Sequence, residues 1–179
     1  LVIGLVVAPR LTMITLSAVV NGVMFIYVAF RFVVAMVGAQ HEHVQAIRDE
    51  EVRALQDDEL PMYTVLVPVY REANVVGHLI ENLRRLDYPQ SKLEVLLLIE
   101  EDDEETLQAA KAARPPETVT FIIVPNGIPK TKPKACNVGL LFARGDYLTI
   151  YDAEDRPDPD QLKKAVIAFR KGPPELVCV

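Results

Sequence analysis

The sequence predicts an α/β domain with a mostly parallel sheet and helices on both faces, preceded by a transmembrane helix. Three observations carry this expectation. From Pro61 onward, short apolar runs rich in β-branched residues alternate with segments of helical period. These runs, MYTVLVPV, LEVLLLI, VTFIIV and YLTIY among them, are almost continuously apolar, as strands covered on both faces are. Ahead of them, residues 11–30 carry no charge, and about 20 such residues make a helix of roughly 30 Å, the thickness of a bilayer's hydrocarbon core.

The N-terminal segments come first. Residues 1–8 are apolar up to Pro9-Arg10 and read as the tail of an earlier membrane helix or hairpin. The uncharged run that follows has no amphipathic stripe, which favours a membrane span over a buried core helix. Arg10 and Arg31 bracket it, as interfacial residues do. A cleaved signal peptide would have a shorter apolar region ending in small residues. Basic residues on both sides leave orientation open. Residues 39–60 are polar and rich in helix formers, with a sparse stripe at Val44, Ile47, Val52 and Leu55, and read as a helical linker at the membrane surface. His41 and His43 lack a third ligand nearby and read as plain polar residues. The expected organisation is thus 1–38 transmembrane, 39–60 linker and 61–179 globular domain.

Within that domain, residues 62–69 read as a buried strand with Pro68 near its end. Residues 73–86 carry Val75, Val76, Leu79, Ile80, Leu83 and Leu86 on one helical face, with Asn74 as the expected N-cap. Residues 93–99 form a second strand and 104–113 a helix closed by Arg114-Pro115-Pro116. Residues 119–124 form a third strand, 134–143 a helix, 147–151 a fourth strand and 159–171 a helix. Gly172-Pro173-Pro174 stops that helix, and residues 175–179 are expected to begin a fifth strand. The chain starts on Leu in an apolar run and finishes on this strand-like stretch, so both ends read as cut from a longer protein.

Bulk properties narrow the function. Half the residues are hydrophobic, mean hydropathy is +0.17, and the formal charge is −6 with a pI near 5.1. An acidic domain of this kind excludes general nucleic-acid binding, which needs a basic face. Cys136 and Cys178 are too few for a disulfide scaffold or zinc ribbon, and both are expected to stay reduced on the cytosolic side. GxGxxG and GxxxxGK[ST] are both absent, which disfavours dehydrogenases and common ATPases.

Unusual residues gather at the strand ends: PVYRE after the first, EEDDEE after the second, DAED after the fourth. Ligands of open parallel sheets sit beyond these carboxyl ends. Carboxylates gathered there repel one another unless a cation or a donor-rich ligand compensates them. Asp152, Glu154 and Asp155 therefore read as a candidate site for a hard divalent cation, Mg²⁺ or Mn²⁺. The competing reading is a solvated acidic turn before the last helix. The loop IPKTKPKACNVG supplies the opposite charge through Lys130, Lys132 and Lys134 at the start of a helix, with Asn137 just inside it. Amines and a helix N-terminus facing a metal-binding rim suit a pyrophosphate.

PVYREANVVGHLIENLRRLDYP, LLLIEEDDEET, KPKACNVGL and DYLTIYDAEDRPDPDQL, in this order and spacing, resemble family 2 glycosyltransferases of the GT-A (Rossmann-like) fold from about Tyr63 onward. DAED with RPDPDQL is most similar to the membrane-bound bacterial members of the cellulose-synthase-like and exopolysaccharide group. The resemblance implies a nucleotide-sugar donor, usually a UDP-sugar, and a divalent metal. It implies that Pro68, Tyr70 and Glu72 help hold the nucleoside, and that Glu100 or Glu101 contacts the base in place of the more usual Asp-Asp-Gly. Within KPKACNVGL, Lys134, Asn137 and Gly139 are taken as the residues of the family's lysine-asparagine-glycine motif, and Asp152-Ala153-Glu154 matches Asp-x-Asp. Because the second acid is Glu, metal ligation falls to Glu154 or Asp155 beside Asp152.

The implied chemistry is inverting transfer to a growing polysaccharide or lipid-linked acceptor. The general base is expected in a motif further along than Val179, so the chain is expected to hold the donor half of the site and not to turn over by itself. The implied location is the inner membrane with the domain facing the cytoplasm, where nucleotide sugars are found. The alternative is a membrane-tethered nucleotide-binding or interaction module that keeps the fold without catalysis.

Overall fold

A computed structural model of the chain describes residues 8–40 and 47–179. These fall in two compact units, Leu1–Gln45 and Ala46–Val179. His41 and His43 lie outside the described residues.

The described part of the first unit is one helix, α1 (Pro9–Gln40). It runs on past Arg31, and from Pro9 to Gly38 it is long and apolar enough to cross a membrane. Its polar side chains turn back on its own backbone. The hydroxyls of Thr12 and Thr15 donate to the carbonyls of Ala8 and Leu11 at 3.0 and 2.8 Å. The Asn21 amide donates to the Ser17 carbonyl at 2.8 Å.

The second unit is built on a four-stranded sheet: β1 (Tyr63–Val69), β2 (Leu93–Glu100), β3 (Val119–Val124) and β4 (Tyr147–Ile150). The order is β3-β2-β1-β4 and every pairing is parallel. The chain steps outward from β1 to β3 and then crosses back to lay β4 on the other side of β1. Parallel crossovers share one hand, so reversing direction moves the connecting helix to the opposite face. Accordingly α3 (Val76–Arg84) and α4 (Glu104–Ala112) lie on one face, and α5 (Lys132–Leu140), which leads into β4, lies on the other. The last helix, α6 (Gln161–Lys171), packs with α3 and α4. Before the sheet comes α2 (Asp49–Ala54), whose Glu51 is paired with Lys171 of α6.

Both central strands are buried along their whole length. Val65, Val67, Leu97 and Ile99 meet Val76, Leu79, Ile80 and Val166 on one face; Leu66 and Leu98 meet Ala135, Cys136 and Gly139 on the other. Each such Leu or Ile contributes roughly 1.5–3 kcal/mol of burial. Within a strand, alternate residues hydrogen-bond to opposite neighbours. Leu66 accepts from Tyr151 on the β4 side at 3.0 Å, so the imino nitrogen of Pro68 faces that same side, past the last β4 pairing, where no ladder bond is lost.

A buried acid ties the start of the sheet together. Glu94 is 4 % exposed. Its carboxylate accepts from the Thr64 hydroxyl at 2.8 Å, the Arg144 backbone N–H at 3.0 Å and Arg144 Nε at 2.6 Å. Burial pushes its pKa up, yet these donors leave it below the usual carboxylate range. The Gly145 N–H donates to the same Thr64 hydroxyl at 2.9 Å, which sets β4 against β1.

Several expectations are corrected. Residues 175–179 form no strand: Val177 is 91 % exposed and has no neighbouring strand to pair with. Of the expected 39–60 linker, residues 41–46 lie outside the described residues, and the part that follows holds α2 and a single 3-10 turn at Asp57–Glu59. The N-cap of α3 is Val75, without a side-chain bond, so Asn74 does not cap it. The apolar character of β4 does not mean two covered faces, because Leu148 and Ile150 are exposed beside α5.

The close approach of Gly145 to β1 gives a test. A Cβ there would sit 2.5 Å from the Thr64 backbone nitrogen and 2.6 Å from the Tyr147 carbonyl oxygen, neither of which can move freely. At Gly77 in α3 a Cβ meets nothing within 4 Å. Gly145→Ala is expected to lose about 2 kcal/mol or more of stability, and Gly77→Ala to gain about 0.5–1 kcal/mol. Urea denaturation followed by tyrosine fluorescence checks both; equal stabilities would show that the β1–β4 junction is not close-packed.

Candidate active site

The strand order reverses between β1 and β4, and the crevice beyond their carboxyl ends is where an open α/β sheet binds ligands. The carboxyl ends of β1, β2 and β4 deliver Pro68, Tyr70 and Glu72, then Glu100, then Asp152 to this rim. A pocket there is lined by Pro68, Tyr70, Glu72, Glu100, Lys130 and Lys132, among others.

The loop after β1 is held from α4. Asp103, at the N-cap of α4, accepts from the Thr106 N–H and also from the Arg71 N–H. The Thr106 hydroxyl in turn accepts from the Glu72 N–H at 3.1 Å. These bonds hold Arg71 at φ 58°, a left-handed conformation that costs a non-glycine residue about 1 kcal/mol. Asp103 and Thr106 were not singled out from the sequence. Their D-x-x-T spacing is an N-cap signal, but nothing in it shows that the cap also serves a loop from another strand.

Each of the three alternating lysines pairs with a different carboxylate. Lys130 pairs with Asp102 just past β2, and its ammonium lies 5.0 Å from the centre of the Tyr70 ring. Lys134 reaches Glu100 at 3.1 Å and donates to the carbonyls of Pro125 and Gly127 at 2.8 and 3.2 Å. Lys132 reaches Asp152 at 2.7 Å. The hydrogen bond from Lys130 holds the Asp102 carboxyl below its usual range, and those to Asp102 and Asp152 hold Lys130 and Lys132 above the usual lysine value. The amine beside the Asp-x-Asp acid is therefore Lys132, whereas Lys134 lies against the end of β2.

The acidic turn does not form a cage. Asp155 accepts the Asp152 N–H at 2.7 Å and donates its own N–H to the Asp152 carbonyl at 3.0 Å, closing a tight turn. Ala153 is buried beneath it and Glu154 is exposed. Among the described residues no three His, Cys, Asp or Glu side chains converge closely enough to hold a metal ion by themselves. Glu101 turns aside to accept the Asn126 N–H at 3.1 Å, and Asn137 is exposed on α5. Glu72 carries an unusual oxygen: its Oε2 is buried without a hydrogen-bond partner. Burial is the main cause that raises its pKa; Lys132 opposes the rise, while Asp152 and Glu154 add to it.

Comparison with known proteins bears on the family and the fold. The profile described as "Glycosyl transferase family 2" matches residues 64–179. The "Probable glycosyltransferase YdaM" of Bacillus subtilis (strain 168) is 26% identical over 102 residues, 56% of this chain and 24% of that protein. A Methanococcus voltae protein, "Dolichyl N-acetyl-alpha-D-glucosaminyl phosphate 3-beta-D-2,3-diacetamido-2,3-dideoxy-beta-D-glucuronosyltransferase", is 23% identical over 108 residues, 60% of this chain and 34% of that one. Among solved structures, the mannosyltransferase PcManGT of Pyrobaculum calidifontis, in complex with GDP-Man and Mn²⁺, superposes with a TM-score of 0.56 at 25% identity, covering 87% of this chain and 42% of that chain. The chain thus spans about a quarter to a third of the length of these curated relatives.

The orphaned Glu72 oxygen gives a pH-dependent test. Because its folded-state pKa is raised, its contribution to stability is full below the unfolded value and is lost as pH rises through the folded one. Glu72→Gln is therefore expected to raise the unfolding midpoint of the unliganded protein at pH 7. The difference should vanish below about pH 4, where the carboxyl is protonated in both states. Thermal melts from pH 3 to 8 check this; a destabilised Glu72→Gln at neutral pH would show that the carboxylate has a donor.

Proposed function

The chain belongs to glycosyl transferase family 2, and on that premise we propose that the rim of β1, β2 and β4 is the donor half of a sugar-transfer site. The donor is a nucleotide sugar with a diphosphate, and the acceptor is a growing polysaccharide or a lipid-linked saccharide. The observation that carries this reading is the position of the Lys132–Asp152 pair at the switch in strand order, beside the unpartnered Glu72 oxygen.

A divalent cation fits these residues. Asp152 already holds a cationic group at 2.7 Å, and Glu72 offers an oxygen that lacks a donor. Asp152 would be the principal protein ligand. Glu154 is the freer second candidate, since Asp155 accepts a backbone N–H. With so few carboxylates, Mg²⁺ or Mn²⁺ would complete its shell from diphosphate oxygens and water. When bound, the ion supplies charge neutralisation as the nucleoside diphosphate departs.

The chain's own residues do the rest of the donor's work. Pro68 and Tyr70 line the nucleoside pocket, with Glu100, fixed by Lys134, at its far wall. Lys132 and the N-terminus of α5 face the diphosphate and stabilise its negative charge. Attack by the acceptor hydroxyl on the anomeric carbon, from the side opposite the nucleotide, inverts its configuration. That hydroxyl's proton passes to a general base. Most of the family uses UDP-sugars, while the Pyrobaculum neighbour holds GDP-Man and Mn²⁺, so the base is tested with both nucleotides. Calorimetry with UDP and with GDP in the presence of Mn²⁺ is expected to detect binding to one of them, weakened at least tenfold in Asp152→Asn. No binding of either, or binding indifferent to this substitution, would remove the donor-site assignment.

The apolar length of α1 supports a membrane anchor, and the lipid-linked substrate in the name of the Methanococcus relative fits an acceptor at the bilayer. The inner membrane with the domain on the cytoplasmic side follows from where nucleotide sugars are made. Protease added to intact spheroplasts should leave the domain whole and digest it only after lysis; digestion in intact cells would reverse the orientation.

A further inference from the structure

Each of the three ion pairs made by the lysine loop is held differently. Lys134 has four acceptor contacts, to both oxygens of Glu100 and to two carbonyls, and Glu100 is almost wholly buried. Lys130 is braced by the face of Tyr70 and lies 3.5 Å from its hydroxyl. The Lys132–Asp152 pair is open to solvent on both sides, with side-chain exposures of 57% and 44%. Exposed pairs of this kind contribute little to stability and exchange readily. It is also the pair that occupies the carboxylate assigned above to a divalent cation.

We propose that Lys132 is an internal counter-ion that occupies Asp152 in the unliganded protein and transfers to the donor's diphosphate, so that nucleotide and divalent cation bind cooperatively. The proposal rests on the donor-site reading. An ammonium 2.7 Å from Asp152 and a divalent cation bound to the same oxygen repel one another, so the cation must displace the amine. Displaced into solvent with no anion present, the amine leaves its pairing unmade. With a diphosphate in the crevice it gains a more highly charged partner, while the phosphate oxygens complete the cation's shell. Linkage then requires that nucleotide raise metal affinity by the same factor as metal raises nucleotide affinity. Lys132 would thus make the site indifferent to free metal and responsive to metal together with donor.

The test measures metal binding directly. Mn²⁺ is titrated into the full chain in detergent, and free Mn²⁺ is read by electron paramagnetic resonance with no nucleotide present. Lys132→Met is expected to bind Mn²⁺ about tenfold more tightly than wild type, and Lys132→Arg, which keeps the cation, to bind as weakly as wild type. In Lys132→Met, nucleotide should enhance Mn²⁺ binding less than it does in wild type. Lys132→Gln serves if the Met variant fails the circular-dichroism check of folding. Unchanged Mn²⁺ affinity in both neutral variants, with Mn²⁺-dependent nucleotide binding that still needs Asp152, would overturn this proposal and leave the donor site intact. Loss of that nucleotide binding from wild type itself would overturn both.

Discussion

Everything at the rim depends on β1 being paired in parallel on both sides. Leu66 accepts from Tyr151 as β4 ends, and beyond that point β1 continues alone on this side through Pro68 to Val69. The difference in strand length opens the crevice. Parallel pairing in turn needs both faces buried, which the chain achieves by placing α3 and α4 on one face and α5 on the other. Gly139 and Gly145 let α5 and the start of β4 come within contact of β1 and β2, where any side chain would collide. The Glu94–Thr64–Arg144 cluster fixes the amino end of the same junction. The apolar core and the polar latch thus act on one seam, the one at whose other end the candidate site opens.

The rim is a charge problem solved by one loop. β2 and β4 end in carboxylates because side chains at strand ends are held firmly enough to be placed, yet gathered carboxylates repel one another. The lysines at 130, 132 and 134 answer them singly, to Asp102, Asp152 and Glu100. Alternate spacing alone does not explain this division. Lys130 lies in the loop before α5, while Lys132 and Lys134 lie in its first turn, so the change of backbone form sends their ammonium groups to three carboxylates at two strand ends, those of β2 and β4.

Much of this was legible in the sequence because it is local. Apolar runs gave the four strands, helical periods gave the helices between them, and strand ends marked the rim. What was not legible involves contacts between distant segments. Residues 175–179 have the apolar composition of a strand, but a strand needs a neighbour, and Val177 has none. Asn74 has N-cap chemistry, but the turn from Glu72 starts the helix at Val76 without it. The expectation placed the motif lysine at Lys134; counted back three residues from Ala135, the K-x-x-A-x-N-x-G lysine is Lys132, and that is the amine the fold brings to Asp152, while Lys134 reaches Glu100. Likewise, the sequence left open whether Glu154 or Asp155 joins Asp152, and the backbone bond to Asp155 is invisible without the turn that makes it.

The absence of a three-carboxylate cage among the described residues bears on how such a site works. A preformed cage would have to overcome strong mutual repulsion when empty and would take up metal whether or not a donor were present. A single well-placed carboxylate, screened by an amine, carries no such penalty and holds metal weakly by itself. Its affinity becomes useful only when a second set of oxygens arrives with the donor. Under the proposed donor-site reading Asp152, just past β4, with Asp155 spent on shaping the turn and Glu72 left without a donor, would be such a half-site, incomplete where the ligand must contribute.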